Sequence, residues 1–182
     1  ILSGIVTVSG EVLRPGVQNW KSGMRLSEVV MLAGLSSNTD LQYGLVKRYV
    51  RPGGQLKLLS FSLADILNDP AGKENYILED QDELILFGLY SANRQQVVES
   101  LVLELRDHAG VQNASQEVKV SGNVRYPGYY PLVDGMTVEQ LQQAAGGLTE
   151  KAFRLRAELS RTVFDERQER QQSHIDLDLS QV

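Results

Sequence analysis

Two hydrophobic periods alternate along the chain. From Ile5 to Val12, Val6, Val8 and Val12 face one way and Thr7, Ser9 and Glu11 the other, the two-residue period of a strand with one buried face. Gly10 falls on the apolar face, where a glycine removes side-chain volume so that another backbone or a helix can come close. Pro15-Gly16 makes a turn, proline fixing φ at the first corner and glycine accepting a positive φ at the second, and a short strand follows from Val17 to Trp20. Past Ser22-Gly23 the period changes. Leu26, Val29, Val30 and Ala33 recur at helical spacing and Gly34 supplies a left-handed stop, which predicts a helix with one apolar face. Leu45 to Arg51 and Gln55 to Leu63 read as a hairpin around Pro52-Gly53-Gly54. A short turn over Leu63 to Leu67 and a loop through Asp69-Pro70 lead to Tyr76–Phe87, an acidic turn before a strand apolar enough to be central. The order strand, strand, helix, hairpin, strand predicts an α+β unit, a mixed sheet packed on one helix.

The pattern then repeats. Val6, Val8, Ser9, Gly10, Val12, Pro15, Gly16, Gly23, Met24 and Ala33-Gly34 correspond, at one constant offset, to Val118, Val120, Ser121, Gly122, Val124, Pro127, Gly128, Gly135, Met136 and Ala145-Gly146. A register kept through alternation, turn and helix stop makes the chain a tandem of one small domain. The second helix carries a capping box, Thr137 with Gln140. Between the copies Val97, Val98, Leu101, Val102 and Leu105 form one stripe of an amphipathic helix with Ser91 as its N-cap and Gly110 as its stop. That stripe must bury against the domains it joins, so a braced pair is expected. The divisions are residues 1–90, a connector at 91–116, and 117–182.

The second copy departs from the first at two places. Tyr126, Tyr129 and Tyr130 flank Pro127-Gly128 where the first copy has Arg14, Val17 and Gln18. The hairpin recurs as Glu158 to Phe164 and His174 to Leu179, but nothing corresponds to Tyr76–Phe87. The second domain is therefore expected to lack its final strand, and either to be the less stable one or to borrow a strand.

Composition narrows the function. In 182 residues a repeat gives two domains of under about 100 residues each, with thin cores. With 42% apolar and 23% charged residues and no apolar run long enough to cross a bilayer, the balance is that of a globular protein. A net charge of -5 offers no footprint for nucleic acid, whose binding rests on phosphate neutralisation. The absence of cysteine removes disulfides, thiolate metal sites and thiol catalysis.

The run Val6 to Gly16, followed by Gly23 to Gly34 and closed by Leu78 to Leu84, and its second appearance at Val118 to Gly128 and Gly135 to Gly146, resembles the soluble-ligand-binding β-grasp (SLBB) domain of bacterial polysaccharide export proteins. The resemblance implies two tandem β-grasp domains, with Gly10, Pro15, Gly16, Gly34, Gly122, Pro127, Gly128 and Gly146 as the fold's own motif. It further implies a place in capsule or exopolysaccharide secretion, in the periplasm beside an outer-membrane exporter. Polysaccharide, other copies of the protein and inner-membrane export machinery would be the partners, without a cofactor.

Few residues suggest chemistry. His108 and His174 cannot make a zinc site without cysteine, and no serine sits in a nucleophile elbow, so no metal or catalytic residue is assigned. Glu79, Asp80, Asp82 and Glu83 lack the spacing of a calcium loop and read as a solvated turn. Arg48 and Arg161 hold equivalent places in the hairpin strand, either as a ligand or partner contact through the guanidinium fork or as an edge charge that blocks unwanted pairing. The ligand site, if a glycan is held, is placed at Tyr126, Tyr129 and Tyr130, flat rings suited to sugar faces, with Arg125 as donor to hydroxyl or uronate oxygens. Tyr129 and Tyr130 are consecutive in a strand and point to opposite faces, so one belongs to the core. The expected function is a non-enzymatic export component forming part of a ring or vestibule. The alternatives are a stand-alone carbohydrate-binding module, or an enzyme acting on glycan, which needs paired carboxylates about 5–10 Å apart.

Overall fold

The computed structural model describes residues 4–109, 117–151, 157–164 and 170–177, the last two through their backbone pairing. Strand β1 (Gly4–Gly10), β2 (Gly16–Trp20), helix α1 (Leu26–Ala33), β3 (Thr39–Val50), β4 (Gln55–Phe61), α2 (Leu63–Asn68) and β5 (Glu83–Gly88) build the first domain. Their five-stranded sheet has the order β2-β1-β5-β3-β4, with β1 and β5 parallel and the other pairs antiparallel, the mixed sheet that the pattern predicts. β5 is central because Leu84, Ile85, Leu86 and Phe87 are buried on both faces in turn. Its inner side joins Val6, Val8, Val46 and Phe61 under Leu26, Val29, Val30 and Ala33 of α1. Its outer side joins Tyr43, Leu45, Leu56 and Leu58 in a second apolar cluster.

Gly10 shows why a glycine stands on the apolar face. It has φ 90°, and a Cβ there would lie 1.9 Å from the Leu86 carbonyl oxygen, so the close approach is that of the β5 backbone. β1 consequently stops at Gly10 and Val12 makes only an isolated bridge to Leu35. β3 reaches back to Thr39, further than its apolar run, because the register slips between Thr39 and Gly44. There Gly44 leaves room for the Phe61 ring, 2.4 Å from where its Cβ would be. The turn expected over Leu63 to Leu67 is the short helix α2, which Ser62 caps by accepting from the Asp65 N–H at 3.1 Å. α1 has no cap from its own N-cap residue. The segment before β5 supplies one, the Leu26 N–H donating to the Tyr76 carbonyl (2.9 Å) and the Ser27 N–H to Asn75 Oδ1 (3.0 Å).

The connector is helix α3 (Arg94–Ala109), which starts three residues after the expected cap at Ser91. Val98, Leu101 and Leu105 of its stripe enter the outer cluster of the first sheet. Beyond it come β6 (Glu117–Val120), β7 (Gly128–Pro131), α4 (Val138–Ala144), β8 (Ala157–Phe164) and β9 (Arg170–Leu177). The pairing Val118↔Tyr130 repeats Val6↔Gln18, and α4 carries the Thr137–Gln140 capping box. Among the described residues β8 and β9 pair with each other alone, Arg161 opposite Ser173. Among the described residues β6 pairs only with β7, and Gly122 keeps φ 97° with nothing within 4 Å of its Cβ position. Among the described residues no strand fills beside β6 the edge that β5 fills beside β1.

Native-state hydrogen exchange should therefore show amides of Val118 to Val120 exchanging faster than those of Val6 to Val8, since an unfilled edge lowers the cost of local opening. Equal protection in a monomer would mean that β6 is covered after all.

Candidate functional site

The first residue of α3 is a fully buried charge. The Arg94 side chain is 0% exposed and pairs through Nη1 with Asp40 of β3, itself 5% exposed. Nη2 donates to the carbonyls of Ala144 (2.7 Å) and Gln143 (3.3 Å) at the C-terminus of α4, the latter also accepting from the Gly146 N–H at 2.9 Å. The guanidinium also lies 5.1–5.5 Å from the rings of Tyr43, Phe87 and Tyr126. One side chain thus touches the first sheet, the connector and the second domain.

The tyrosines of the second turn share this junction. Tyr126 is half-buried over Arg94 and donates its hydroxyl to the Leu89 carbonyl at 2.9 Å. Tyr130 is 1% exposed and donates to the Tyr126 carbonyl at 2.5 Å. Burial pushes the Tyr130 hydroxyl up to about 12, Arg94 pulling weakly the other way. Tyr129 stays 39% exposed, with Arg106 at 5.1 Å and Lys119 at 5.7 Å from its ring centre. Arg125 is exposed and lies over the Tyr90 ring at 5.3 Å. The four residues therefore form no single platform. Tyr130 is core and Tyr126 interface, while Tyr129 and Arg125 remain at the surface against different neighbours. The difference between the copies follows the same division. Val17, Met31 and Leu32 are 62%, 78% and 51% exposed on the first domain, whereas Ala144, the counterpart of Leu32, is fully buried against the first domain.

Arg48 is fully engaged within its own domain. Its Nε donates to Asp82 Oδ1 (2.9 Å), Nη2 to Asp82 Oδ2 (2.6 Å) and the Ile77 carbonyl (3.0 Å), and Nη1 to Glu79 (2.8 Å). Asp82 is 0% exposed and also accepts from the Glu79 N–H at 2.8 Å. The acidic turn expected to be solvated is thus closed by a buried fork. Arg48 neither reaches for a ligand nor guards an edge; it fixes the turn that delivers β5. The Arg161 side chain lies outside the described residues.

The outer face of the sheet is not wholly covered by α3. Between the helix and the β1–β5 side of the sheet runs a groove of about 510 Å³, with Ile85 and Phe87 in its lining. Ser9 and Glu83 line one side, joined by a 3.0 Å hydrogen bond from the serine hydroxyl. Ser100 and Glu104 of α3 line the other, and Lys47 joins Glu104 at 2.7 Å. Burial raises the Glu104 pKa, but hydrogen bonds from Lys47 and Tyr49 outweigh it and hold the carboxyl below its ordinary value. A carboxylate so held serves as an acceptor, and is the reverse of the raised carboxyl a general acid requires. The sequence pattern did not reveal the groove, because its walls come from β1, β3, β5 and α3.

Two small α+β units that repeat one strand–turn–strand–helix order here meet sequence evidence of the same kind. The SLBB domain family model matches residues 5–41 and 118–170, the β1–α1 stretch and its repeat. The chain is an SLBB-domain protein, of a ligand-binding domain family. No curated protein matches the chain.

Asp40→Ala would leave the Arg94 guanidinium buried without its partner, and should cost roughly 3–5 kcal/mol in urea unfolding. Adding Arg94→Met should recover part of that loss. A second outcome concerns alkali. A Tyr130 hydroxyl raised from 10.0 to about 12 contributes stability that is complete below the unfolded tyrosine value and is lost as pH rises through the folded one. Stability should fall between pH 10 and about 12, with a smaller fall in Tyr130→Phe, read by denaturation at stepped pH.

Proposed function

We propose that the chain is a non-enzymatic, ligand-binding part of a bacterial polysaccharide-export assembly, acting in the periplasm and contacting glycan while associating with other copies of itself. The observation that carries this reading is the tandem itself. Two SLBB units are held by Arg94 against a shared apolar cluster, an arrangement suited to presenting a fixed surface to a long polymer. Support for a binding role over a catalytic one comes from the groove and the fork. Glu104 is held ionised by Lys47 and Tyr49, and Asp82 is spent on Arg48. Docking on inner-membrane export machinery belongs to the same proposal.

The test is titration of the chain with neutral and uronate-bearing capsule oligosaccharides, followed by NMR of backbone amides and tyrosine rings, with the reducing ends assayed in parallel. Saturable binding with no cleavage is expected. Absence of binding at millimolar glycan, or release of new reducing ends, would overturn the reading. Sedimentation of the same protein should show association that increases with concentration, and a strict monomer would remove self-association from it.

A further inference from the structure

We infer that the groove between α3 and the β1–β5 side of the first sheet is a binding site for an uncharged, hydroxyl-rich ligand the size of a short oligosaccharide. This rests on the glycan-binding reading above and gives it a place and a charge preference. Its volume of about 510 Å³ lies in the range of roughly 300–1,000 Å³ that small-molecule sites occupy. The lining has the two components that a sugar needs. Ile85 and Phe87, 6% and 4% exposed, form a narrow apolar floor and half-buried Val97 an apolar edge for ring C–H groups. Around them stand short polar groups in fixed positions. The Ser9 hydroxyl is already tied to Glu83, which leaves the other Glu83 oxygen to accept from a ligand hydroxyl. The Ser100 hydroxyl donates to the Val97 carbonyl at 2.7 Å and so turns its lone pairs outward. Asn93 adds an amide with both donors and an acceptor.

Charge decides which sugars fit. Glu11, Glu83 and Glu104 line the groove against Lys47 and Arg94. Lys47 is neutralised by Glu104 and Arg94 by Asp40, so Glu11 and Glu83 are left as the uncompensated charges. A uronate or phosphate would meet them across a partly dry space, where like charges repel more strongly than in water. The preference is therefore opposite to that of Arg125 and the cation-flanked Tyr129, which would favour acidic glycans. Ligand charge thus separates the two surfaces.

The probes are neutral gluco- and manno-oligosaccharides and oligouronates of equal length, titrated into the full chain with amide shifts recorded. Neutral sugars should move the amides of Ser9, Glu83, Phe87 and Ser100 and bind at least about tenfold more tightly than uronates. Ser100→Trp, on the exposed side of α3, should fill the groove and abolish those shifts while the rest of the amide spectrum stays in place. Tyr129→Ala should leave them unchanged. Glu83→Gln keeps the shape, removes one charge, and should narrow the neutral-to-uronate ratio. If glycan binds but the shifts gather at Arg125 and Tyr129, or uronates bind as tightly as neutral sugars, the groove assignment fails while glycan binding stands. If no glycan binds, both fall.

Discussion

A buried guanidinium sets the geometry of this molecule. Removing Arg94 and Asp40 from water is costly, and an apolar pair of the same volume would often serve stability as well. What an apolar pair would not do is fix direction. The cluster shared by Leu45, Ile85, Val98, Tyr130 and Ala144 is held by burial, which is proportional to area and indifferent to small slides. Arg94 converts that contact into one arrangement, because its donors must meet Asp40 on β3 and the carbonyls of Gln143 and Ala144 at once.

Within the first domain the segment from Asn75 to Asp82 plays the equivalent part. Asn75 and Tyr76 cap α1, the Leu78 carbonyl accepts from the Trp20 indole at 2.8 Å, and Glu79 and Asp82 close on Arg48. Helix, first hairpin and second hairpin are thus all tied to the stretch that leads into β5. Among the described residues the second domain has no such stretch, and it relies instead on its neighbour. Tyr130, Ala144 and Ala145 are buried in the cluster that the first sheet provides, and Gln140 reaches across to Glu74 at 3.1 Å.

Period and punctuation made most of the architecture legible. The alternation of Val6 and Val8, the helical spacing from Leu26 to Ala33, the capping box at Thr137 and the stripe of α3 each report a local rule, and each is found where the rule puts it. What could not be read were the polar residues buried by tertiary contact. Asp82 sat in a run of acids with every mark of a surface turn, and nothing local distinguishes it from Asp80. Arg94 lay in a polar stretch outside the apolar stripe of the helix. One signal was present: a cation in the first turn opposes the helix dipole, so an arginine there needs a partner elsewhere. The groove was hidden for the same reason, since four segments far apart in sequence line it.

The tyrosines of the second turn show how divergence between repeats should be weighed. Residues that differ at equivalent positions are free of the fold's demands, but packing claims them as readily as a ligand does. Tyr126 and Tyr130 are claimed by packing: one covers Arg94 and the other fills the space behind it. On the first domain Met31 and Leu32, the counterparts of Gln143 and Ala144, are exposed and apolar. Docking also shapes the groove, although no residue of the second domain lines it. Its helical wall is α3, and the residue that anchors the start of α3 to the first sheet is the one that holds α4. The width of the groove and the seat of the second domain are therefore fixed by the same guanidinium.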